Sequence, residues 1–150
     1  MDKLNLPTYD AKVIDEGGVA KIFDRLRMKF VALTPEEWVR QHFVNYMIAE
    51  LDYPASVMAN ERGITLNGTR RRCDTVVFDR YGRPAVIIEY KAPSVEITQE
   101  VFDQIVRYNL VLRAPFLIVS NGLTHFCCRL NSDGNSYTFL PELPHYTDVK

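Results

Sequence analysis

The sequence predicts an α/β fold in which a mixed central β-sheet is flanked by helices. Three observations lead to this prediction. A helix start at Thr34-Pro35 precedes a series of short apolar segments. One of these, Val86-Ile87-Ile88, is apolar at consecutive positions, which suits a central strand covered on both faces. A second helix start at Thr98 follows. The order helix, three strands, helix and further strands is typical of one α/β sandwich domain.

The bulk properties describe an ordinary globular chain. Its 150 residues suffice for one domain with a hydrophobic core. The formal net charge of -1 gives no overall attraction to nucleic acid, so any such binding needs a local basic patch. No apolar run approaches the ~20 residues of a membrane span, and the N-terminus lacks the pattern of a signal peptide. Cys73, Cys127 and Cys128 show no CxxC spacing, which argues against a zinc site or a disulfide framework and favours a cytoplasmic location.

The N-terminal region carries the weakest signals. Residues 1–18 contain Pro7 and the Gly17-Gly18 pair with little periodicity, and we expect an extended N-terminal arm there. Residues 19–33 partly alternate apolar with basic side chains, which predicts an edge strand or a lead-in to the first helix. The remaining chain, residues 19–150, is then a single domain.

Two helices have clear start signals. Thr34 is a favourable N-cap, Pro35 suits the first helical position, and Glu36 and Glu37 interact favourably with the positive end of the helix dipole. The apolar spacing extends this helix to about Leu51. Thr98 caps a second predicted helix that runs to about Leu112. Strands are expected around Val57 or 64–66, and over 73–78, 85–91, 116–119, 124–130 and, at an edge, 137–140.

The hairpin formed by residues 73–78 and 85–91 carries three charged side chains where such strands are usually apolar. They belong to Asp74, Glu89 and Lys91. Because side chains alternate along a strand, Glu89 and Lys91 share one face. If the hairpin is centred between Tyr81 and Gly82, Asp74 lies directly opposite Glu89. The pattern therefore predicts two carboxylates and an ammonium group in one small patch.

This combination suits metal-assisted hydrolysis of a phosphodiester. Magnesium prefers hard oxygen ligands, which the Asp74 and Glu89 carboxylates and the Tyr90 backbone carbonyl could supply. Lys91 could then contact the attacking water or the scissile phosphate. The alternative is an ordinary Glu89–Lys91 salt bridge at a strand end, with Asp74 as a surface acid. Three charges amid apolar neighbours are costly to bury without a compensating role, which favours the functional interpretation.

At these residues the chain resembles a known family. Asp74 followed by Glu89-Tyr90-Lys91 resembles the PD-(D/E)xK nuclease motif, although Cys73 replaces the proline that names it. Further phrases over about residues 20–130 resemble the N-terminal nuclease domain of type I restriction enzyme R (HsdR) subunits, in its small stand-alone form. These phrases are Leu33-Thr34-Pro35-Glu36-Glu37-Trp38-Val39-Arg40-Gln41, Arg72-Cys73-Asp74, Ile88-Glu89-Tyr90-Lys91-Ala92-Pro93, Gln104-Ile105-Val106-Arg107-Tyr108-Asn109 and Ser120-Asn121-Gly122.

The resemblance implies a restriction-endonuclease-like sandwich with an α-β-β-β-α-β core. It implies a Mg²⁺-dependent endonuclease acting on DNA, with Mn²⁺ as a substitute ion. Asp74 and Glu89 are the implied metal ligands, together with the Tyr90 carbonyl, and Lys91 is the implied catalytic lysine. An acid on the first helix completes the metal shell; Glu37 is the first choice and Glu36 the alternative. Because no motor domain follows the nuclease-like region, a motor subunit, a specificity subunit or a second copy are the expected partners besides DNA.

Other residues are candidates for contact with DNA. Gln104 and Tyr108 share one face of the second helix and resemble the Gln-xxx-Tyr element of related nucleases. The alternative is a polar surface residue beside a half-buried tyrosine. Arg70-Arg71-Arg72 is the densest basic run, in which alternate side chains point to opposite faces of a strand. Arg40 and Arg107 are further candidates for phosphate contact.

Two functions remain open at this point. The first is a metal-dependent nuclease domain, favoured by the joint presence of Asp74, Glu89 and Lys91. The second is a nucleic-acid-binding or protein-interaction module that keeps the nuclease fold with little activity of its own. The near-neutral charge and the missing motor favour the second function, or dependence on a partner.

Overall fold

The structure, a computed structural model, describes residues 1–150 and contains two β-sheets. The smaller sheet is antiparallel, with strand order β1-β2-β3. The larger sheet has six strands in the order β4-β5-β6-β7-β8-β9. The elements in chain order are β1 Val13–Glu16, β2 Val19–Asp24, β3 Lys29–Ala32, α1 Pro35–Glu50, β4 Met58–Leu66, β5 Thr69–Phe78, β6 Pro84–Tyr90, α2 Gln99–Leu110, β7 Phe116–Ser120, β8 His125–Leu130, β9 Tyr137–Leu140 and α3 Tyr146–Val149, with one 3-10 turn at Ala55–Val57.

The larger sheet is mixed because one strand pair is parallel. β6 and β7 run parallel, whereas every other neighbouring pair is antiparallel. A parallel pair needs a crossover connection, which α2 supplies. The chain therefore has the order α1, β4, β5, β6, α2, β7, and the predicted α-β-β-β-α-β core and α/β class are confirmed.

The two faces of the larger sheet carry separate hydrophobic cores. On one face, α1 contributes Val39, Phe43 and Met47, which pack with Val86 and Ile88. On the other face, Phe102 of α2 and Leu112 pack with Val76, Ile87 and Leu117. The consecutive apolar residues of β6 are thus buried on both faces, as their sequence predicts.

Both predicted helix starts are confirmed. The Thr34 hydroxyl oxygen accepts a hydrogen bond from the Glu37 backbone N–H at 3.1 Å, and Thr98 accepts one from Val101 at 3.2 Å. α2 ends at Leu110, two residues before the predicted end, and the chain continues in a tighter turn in which the Leu112 and Arg113 N–H groups donate to the carbonyls of Asn109 and Leu110. No helix in the structure combines the length and apolar character needed to span a membrane.

The N-terminal region differs from its prediction. Val13–Glu16 forms β1 and pairs antiparallel with β2, so the predicted boundary at residue 18 divides a hairpin. Gly17 and Gly18 both have positive φ, 62° and 83°, and form the tight turn between these strands. Residues 19–33 form two strands rather than one. The extended arm expected over residues 1–18 is therefore wrong for Val13–Gly18, which form β1 and the turn to β2.

The β4–β5 hairpin is longer than its sequence indicates. β4 extends without interruption over Met58–Leu66, and β5 begins at Thr69, directly after the Asn67-Gly68 turn. The alternation of apolar residues in β4 is disturbed at Glu61, whose φ is 53°. The sequence of β4 does not alternate strictly between apolar and polar residues, so a period-two pattern does not predict the middle of this strand.

Candidate active site

The site begins where β5 and β6 separate. The pairs Val77–Val86, Val76–Ile87 and Thr75–Ile88 confirm the predicted hairpin register, and Asp74 and Glu89 follow next along the two strands. Backbone pairing ends at this point. The Tyr90 N–H instead donates to the Asp74 carboxylate oxygen Oδ2 at 2.9 Å. The Asp74 side chain therefore takes the position of a backbone acceptor in the hairpin.

Asp74 and Glu89 are half-buried carboxyl groups that lie opposite each other on the neighbouring strands β5 and β6. Burial, followed by the negative charge of Asp74, raises the pKa of Glu89 to about 8. Burial also raises the pKa of Asp74. Two carboxyl groups this close cannot both ionise easily without a compensating cation.

The residues present fit a divalent cation. Carboxylate and carbonyl oxygens are the ligands that magnesium prefers, and it is commonly held by one or two carboxylates with water completing the shell. Asp74 and Glu89 supply the carboxylates, and Tyr90 between Glu89 and Lys91 can supply its carbonyl. No three acidic, histidine or cysteine side chains are grouped closely enough to form a metal site by themselves. The carboxylate pair is thus the core of the candidate site.

Lys91 follows at the end of β6. Its backbone N–H donates to the Ser120 carbonyl at 2.9 Å, which fixes the strand end beside β7. Its half-buried side chain forms no ion pair with any acid. Burial is the largest influence on the pKa of Glu89 and raises it, whereas the Lys91 charge lowers it. The ammonium group is therefore near the carboxylates, and the ordinary Glu89–Lys91 salt bridge is not formed.

A cavity of about 220 Å³ opens beside Asp74. It brings together the start of α1, the middle of β4 and the separating ends of β5 and β6. Its lining residues are Thr34, Glu36, Glu37, Arg40, Glu61, Asp74 and Tyr90.

Arg40 occupies the centre of this region. Its Nε and Nη2 donate to the Glu37 carboxylate at 2.8 and 2.6 Å. Its Nη1 donates to Glu61 Oε1 at 2.7 Å and to the Asp74 backbone carbonyl at 2.9 Å. Burial lowers the pKa of Arg40, but the two glutamates raise it above its ordinary value. The sequence suggested Arg40 as a phosphate contact, whereas the structure buries its guanidinium within the protein.

Glu37 lies in the cavity, but its oxygens are already engaged. Besides Arg40, it accepts hydrogen bonds from Arg27 Nη2 at 3.0 Å and from Gln41 Nε2 at 2.9 Å. Ligation of a metal by Glu37 would require these groups to move. Glu36 lines the same cavity, is exposed and makes no ion pair. The role of either acid as a metal ligand stays a prediction.

Sequence reasoning missed Glu61. The pairs Asn60–Thr75 and Arg62–Cys73 place it opposite Asp74 on the neighbouring strand. It pairs with Arg40 and also accepts from Arg72 Nε at 2.9 Å. A signal for it did exist, because a hairpin centred on Asn67-Gly68 puts residue 61 opposite residue 74. Acids thus occupy one row across β4, β5 and β6.

A buried polar chain, also missed, connects the smaller sheet to the site. Asp24 is fully buried and accepts from Asn60 Nδ2 at 3.0 Å. Asn60 Oδ1 accepts from the Thr75 hydroxyl at 2.6 Å, and that hydroxyl oxygen accepts from the Tyr90 hydroxyl at 3.0 Å. The turn after β2 is therefore linked to the residue whose carbonyl lies between Glu89 and Lys91.

The remaining candidates lie outside the cavity. Arg70 and Arg72 are exposed at the start of β5. Gln104 is exposed on α2, and Tyr108 is 54% exposed rather than half-buried. The Arg71 guanidinium lies over the Tyr108 ring, 4.6 Å from its centroid. Arg71 and Tyr108 thus lie on the side of α2, whereas Arg72 bonds Glu61 at the Arg40 cavity.

The sequence comparison identifies the family. The family model described as "Type I restriction enzyme R protein N terminus (HSDR_N)" matches residues 35–144, which is most of the chain. The chain belongs to this family. The predicted resemblance is confirmed, and the HSDR_N region includes Asp74, Glu89 and Lys91. The smaller sheet, with Asp24 and Arg27, precedes the matched region.

Comparisons with curated proteins and with solved structures do not extend this assignment. No curated protein matches this HSDR_N chain in sequence. A solved structure described as a "putative nuclease belonging to DUF820" from Anabaena variabilis is similar to it, with 13% sequence identity and a TM-score of 0.48. The similarity covers 90% of this chain and 87% of that chain.

The raised pKa of Glu89 predicts a specific pH dependence of stability without metal. Burial and the Asp74 charge keep a proton on Glu89 of the folded protein up to about pH 8, because they raise the pKa of this carboxyl from its ordinary value of 4.5. This stabilising contribution is present at low pH and is lost as the pH rises through the folded pKa. In urea titrations with EDTA, the free energy of unfolding of the wild type should fall by at least about 2 kcal/mol more than that of Glu89→Gln between about pH 5 and about pH 8.

The exposed Glu142→Gln substitution is the matched control and should keep the wild-type pH dependence. Parallel curves for the wild type and Glu89→Gln would contradict the proposed protonation of this carboxyl pair.

The Arg40 contacts predict a large stability effect. Arg40→Ala leaves Glu37 with two of its four hydrogen bonds and leaves the Asp74 carbonyl without this donor. Removing one partner from a buried ion pair costs roughly 3 kcal/mol or more. Arg83→Ala removes a longer ion pair, at 3.4 Å, between an exposed arginine and Asp79 and should cost under about 1 kcal/mol. Urea denaturation at neutral pH measures both, and equal losses would show that the Arg40 network is not important for folding.

Proposed function

We propose that this chain is a divalent-metal-dependent nuclease domain that hydrolyses DNA phosphodiester bonds. The observation that carries the proposal is the Asp74–Glu89 carboxyl pair beside Lys91, an ammonium group that no ion pair engages. Membership of a family of restriction enzyme R N-termini supports DNA as the substrate.

In this proposal Asp74, Glu89 and the Tyr90 carbonyl hold one Mg²⁺ ion, which Mn²⁺ can replace. When bound, such an ion makes bound water more acidic and stabilises negative charge on the phosphate. Hydrogen bonds within the protein orient the groups that would hold this ion. The Tyr90 N–H holds Asp74, and the Tyr90 hydroxyl is held by Thr75, so the orientation of this residue is set from both ends.

Lys91 supplies a positive charge that no acid of the protein engages. Its backbone is anchored to Ser120, but its ammonium group can contact the attacking water or a phosphate oxygen. Hydrogen-bond donors placed where negative charge develops lower the barrier of such reactions. Arg40 has a different role, because its contacts to Glu37, Glu61 and the Asp74 carbonyl position the aspartate from within the protein.

DNA contacts are assigned to the exposed candidates. Arg70 and Arg72 lie on β5 within a few residues of Asp74, and Gln104 and Tyr108 lie on α2. Arginine side chains can position a phosphate backbone without reading the sequence. We include further subunits among the partners, namely a motor or specificity subunit or a second copy of the chain, because the family consists of R-subunit N-termini.

A second candidate function has one specific observation in its favour. The Glu37 carboxylate, predicted to complete the metal shell, already accepts hydrogen bonds from Arg27, Arg40 and Gln41. It could bind a metal only if these donors moved. A domain with that arrangement could bind nucleic acid or a protein partner with little cleavage of its own. Cleavage and metal binding must therefore be measured separately.

Substitutions at the site separate these functions. We expect the wild type to cleave plasmid or single-stranded DNA with Mg²⁺ or Mn²⁺, and Asp74→Ala and Lys91→Ala to lower the rate at least about 100-fold. Calorimetry should detect Mn²⁺ binding that Asp74→Ala and Glu89→Ala abolish and that Lys91→Ala retains, because only the first two remove ligands.

Asp103→Ala and Lys29→Ala remove exposed groups of the same charge elsewhere and are the matched controls. Cleavage that persists in Asp74→Ala and Lys91→Ala would overturn the site assignment. DNA binding without cleavage, by a protein that binds Mn²⁺, would favour the second function.

A further inference from the structure

The largest cavity of the molecule lies away from the candidate active site. It has a volume of about 530 Å³ and opens where the C-terminal end of α2 meets the β4–β5 turn and the β8–β9 turn. Its lining residues are Asn67, Arg107, Leu110, Val111, Arg113, Gly134 and Asn135. Nothing in the proposed hydrolysis uses this cavity.

The charge of the cavity is entirely positive. Arg107 and Arg113 are its only charged lining residues, both are exposed, and neither forms an ion pair. Asp133 adjoins the lining, but its carboxylate accepts from the Asn135 N–H at 2.8 Å and from the Ser136 hydroxyl at 3.1 Å within its own turn. A concave surface with unpaired charges of one sign concentrates oppositely charged ligands.

The walls of the cavity are tied together. Asn67 Nδ2 donates to the Leu112 carbonyl at 2.6 Å, which joins the β4–β5 turn to the chain just after α2. Asn67 and Arg113 both have left-handed backbones, with φ 51° and 53°. These contacts hold the β4–β5 turn against the segment that presents Arg113.

The cavity lies on the α2 side of the larger sheet. Arg71, on β5 beyond the cavity residue Asn67, packs over Tyr108 of α2 at 4.6 Å. Positive charge therefore continues from the cavity along this side of the protein.

We propose that this cavity binds a backbone phosphate of DNA. Arg107 and Arg113 contact the phosphate oxygens, with Asn135 beside them. The inference rests on the proposed function for its choice of DNA as the ligand. It adds a DNA contact on the α2 side of the protein, away from the Arg40 cavity.

A competing explanation concerns the helix itself. Positive side chains near the C-terminal end of a helix interact favourably with its negative dipole end. Arg107 lies in the last turn of α2 and fits this role. Arg113 lies three residues beyond the end of α2, and its presence in the cavity lining needs a different reason.

The test is binding of a labelled 20-base-pair DNA duplex to the full chain in EDTA, followed by fluorescence anisotropy. Arg107→Ala and Arg113→Ala should each weaken binding about fivefold and reduce the slope of log affinity against log salt by about 0.9, as expected for one lost phosphate contact. Arg113→Lys should retain most of the affinity because it keeps the charge.

Arg25→Ala is the matched control, since Arg25 is an exposed arginine without an ion pair in the turn after β2 of the smaller sheet. It should bind DNA like the wild type. Wild-type affinity and salt slope in both Arg107→Ala and Arg113→Ala would overturn the proposal, as would an equal loss in Arg25→Ala. A lower melting temperature with unchanged DNA binding would assign these arginines to the helix end instead.

The outcome is independent of cleavage. A protein that loses DNA binding in Arg113→Ala but never cuts DNA would support the cavity and contradict the nuclease proposal. A protein that cleaves DNA and keeps its DNA affinity in both arginine variants would support the nuclease proposal and contradict the role of the cavity.

Discussion

The buried guanidinium of Arg40 is the interaction on which the rest of the site depends. Four hydrogen bonds from this one group join Glu37 of α1, Glu61 of β4 and the Asp74 carbonyl of β5. Buried charges are stable only when paired and hydrogen-bonded, so these elements can approach one another only with the guanidinium in place. The position of Asp74 is therefore fixed by a helix and by the neighbouring strand, as well as by its own hairpin.

The smaller sheet extends this support. Arg27, in the turn after β2, donates to Glu37, and Asp24 begins the buried chain that reaches Tyr90 through Asn60 and Thr75. The family match starts at residue 35, at the beginning of α1. Residues before the matched region thus orient two side chains of the candidate site, and the smaller sheet is part of its framework.

The parts of this structure that were predictable from sequence rest on local rules. Thr34 and Thr98 cap helices through their own side chains, and the turn after Phe78 sets the register that brings Asp74 to Glu89. The full set of Arg40 partners could not be predicted in this way. Glu37 lies three residues before Arg40 on α1, a spacing that favours this pair, but the contact with Glu61 depends on how α1 packs against β4, which no spacing within either element encodes. The same applies to β1, because the Gly17-Gly18 pair that follows it is compatible both with a hairpin turn and with an irregular arm.

The acids of the site fall into two groups with different partners. Glu37 and Glu61 form ion pairs with arginines of the protein, whereas the carboxyl groups of Asp74 and Glu89 form no ion pair. A single divalent ion is therefore expected at the second group. Anomalous diffraction from a Mn²⁺-containing crystal tests this most directly. The account predicts one ion bound by Asp74 and Glu89, with Arg40 still between Glu37 and Glu61. An ion bound at Glu37 and Glu61 with Arg40 displaced, or none at Asp74 and Glu89, would contradict it.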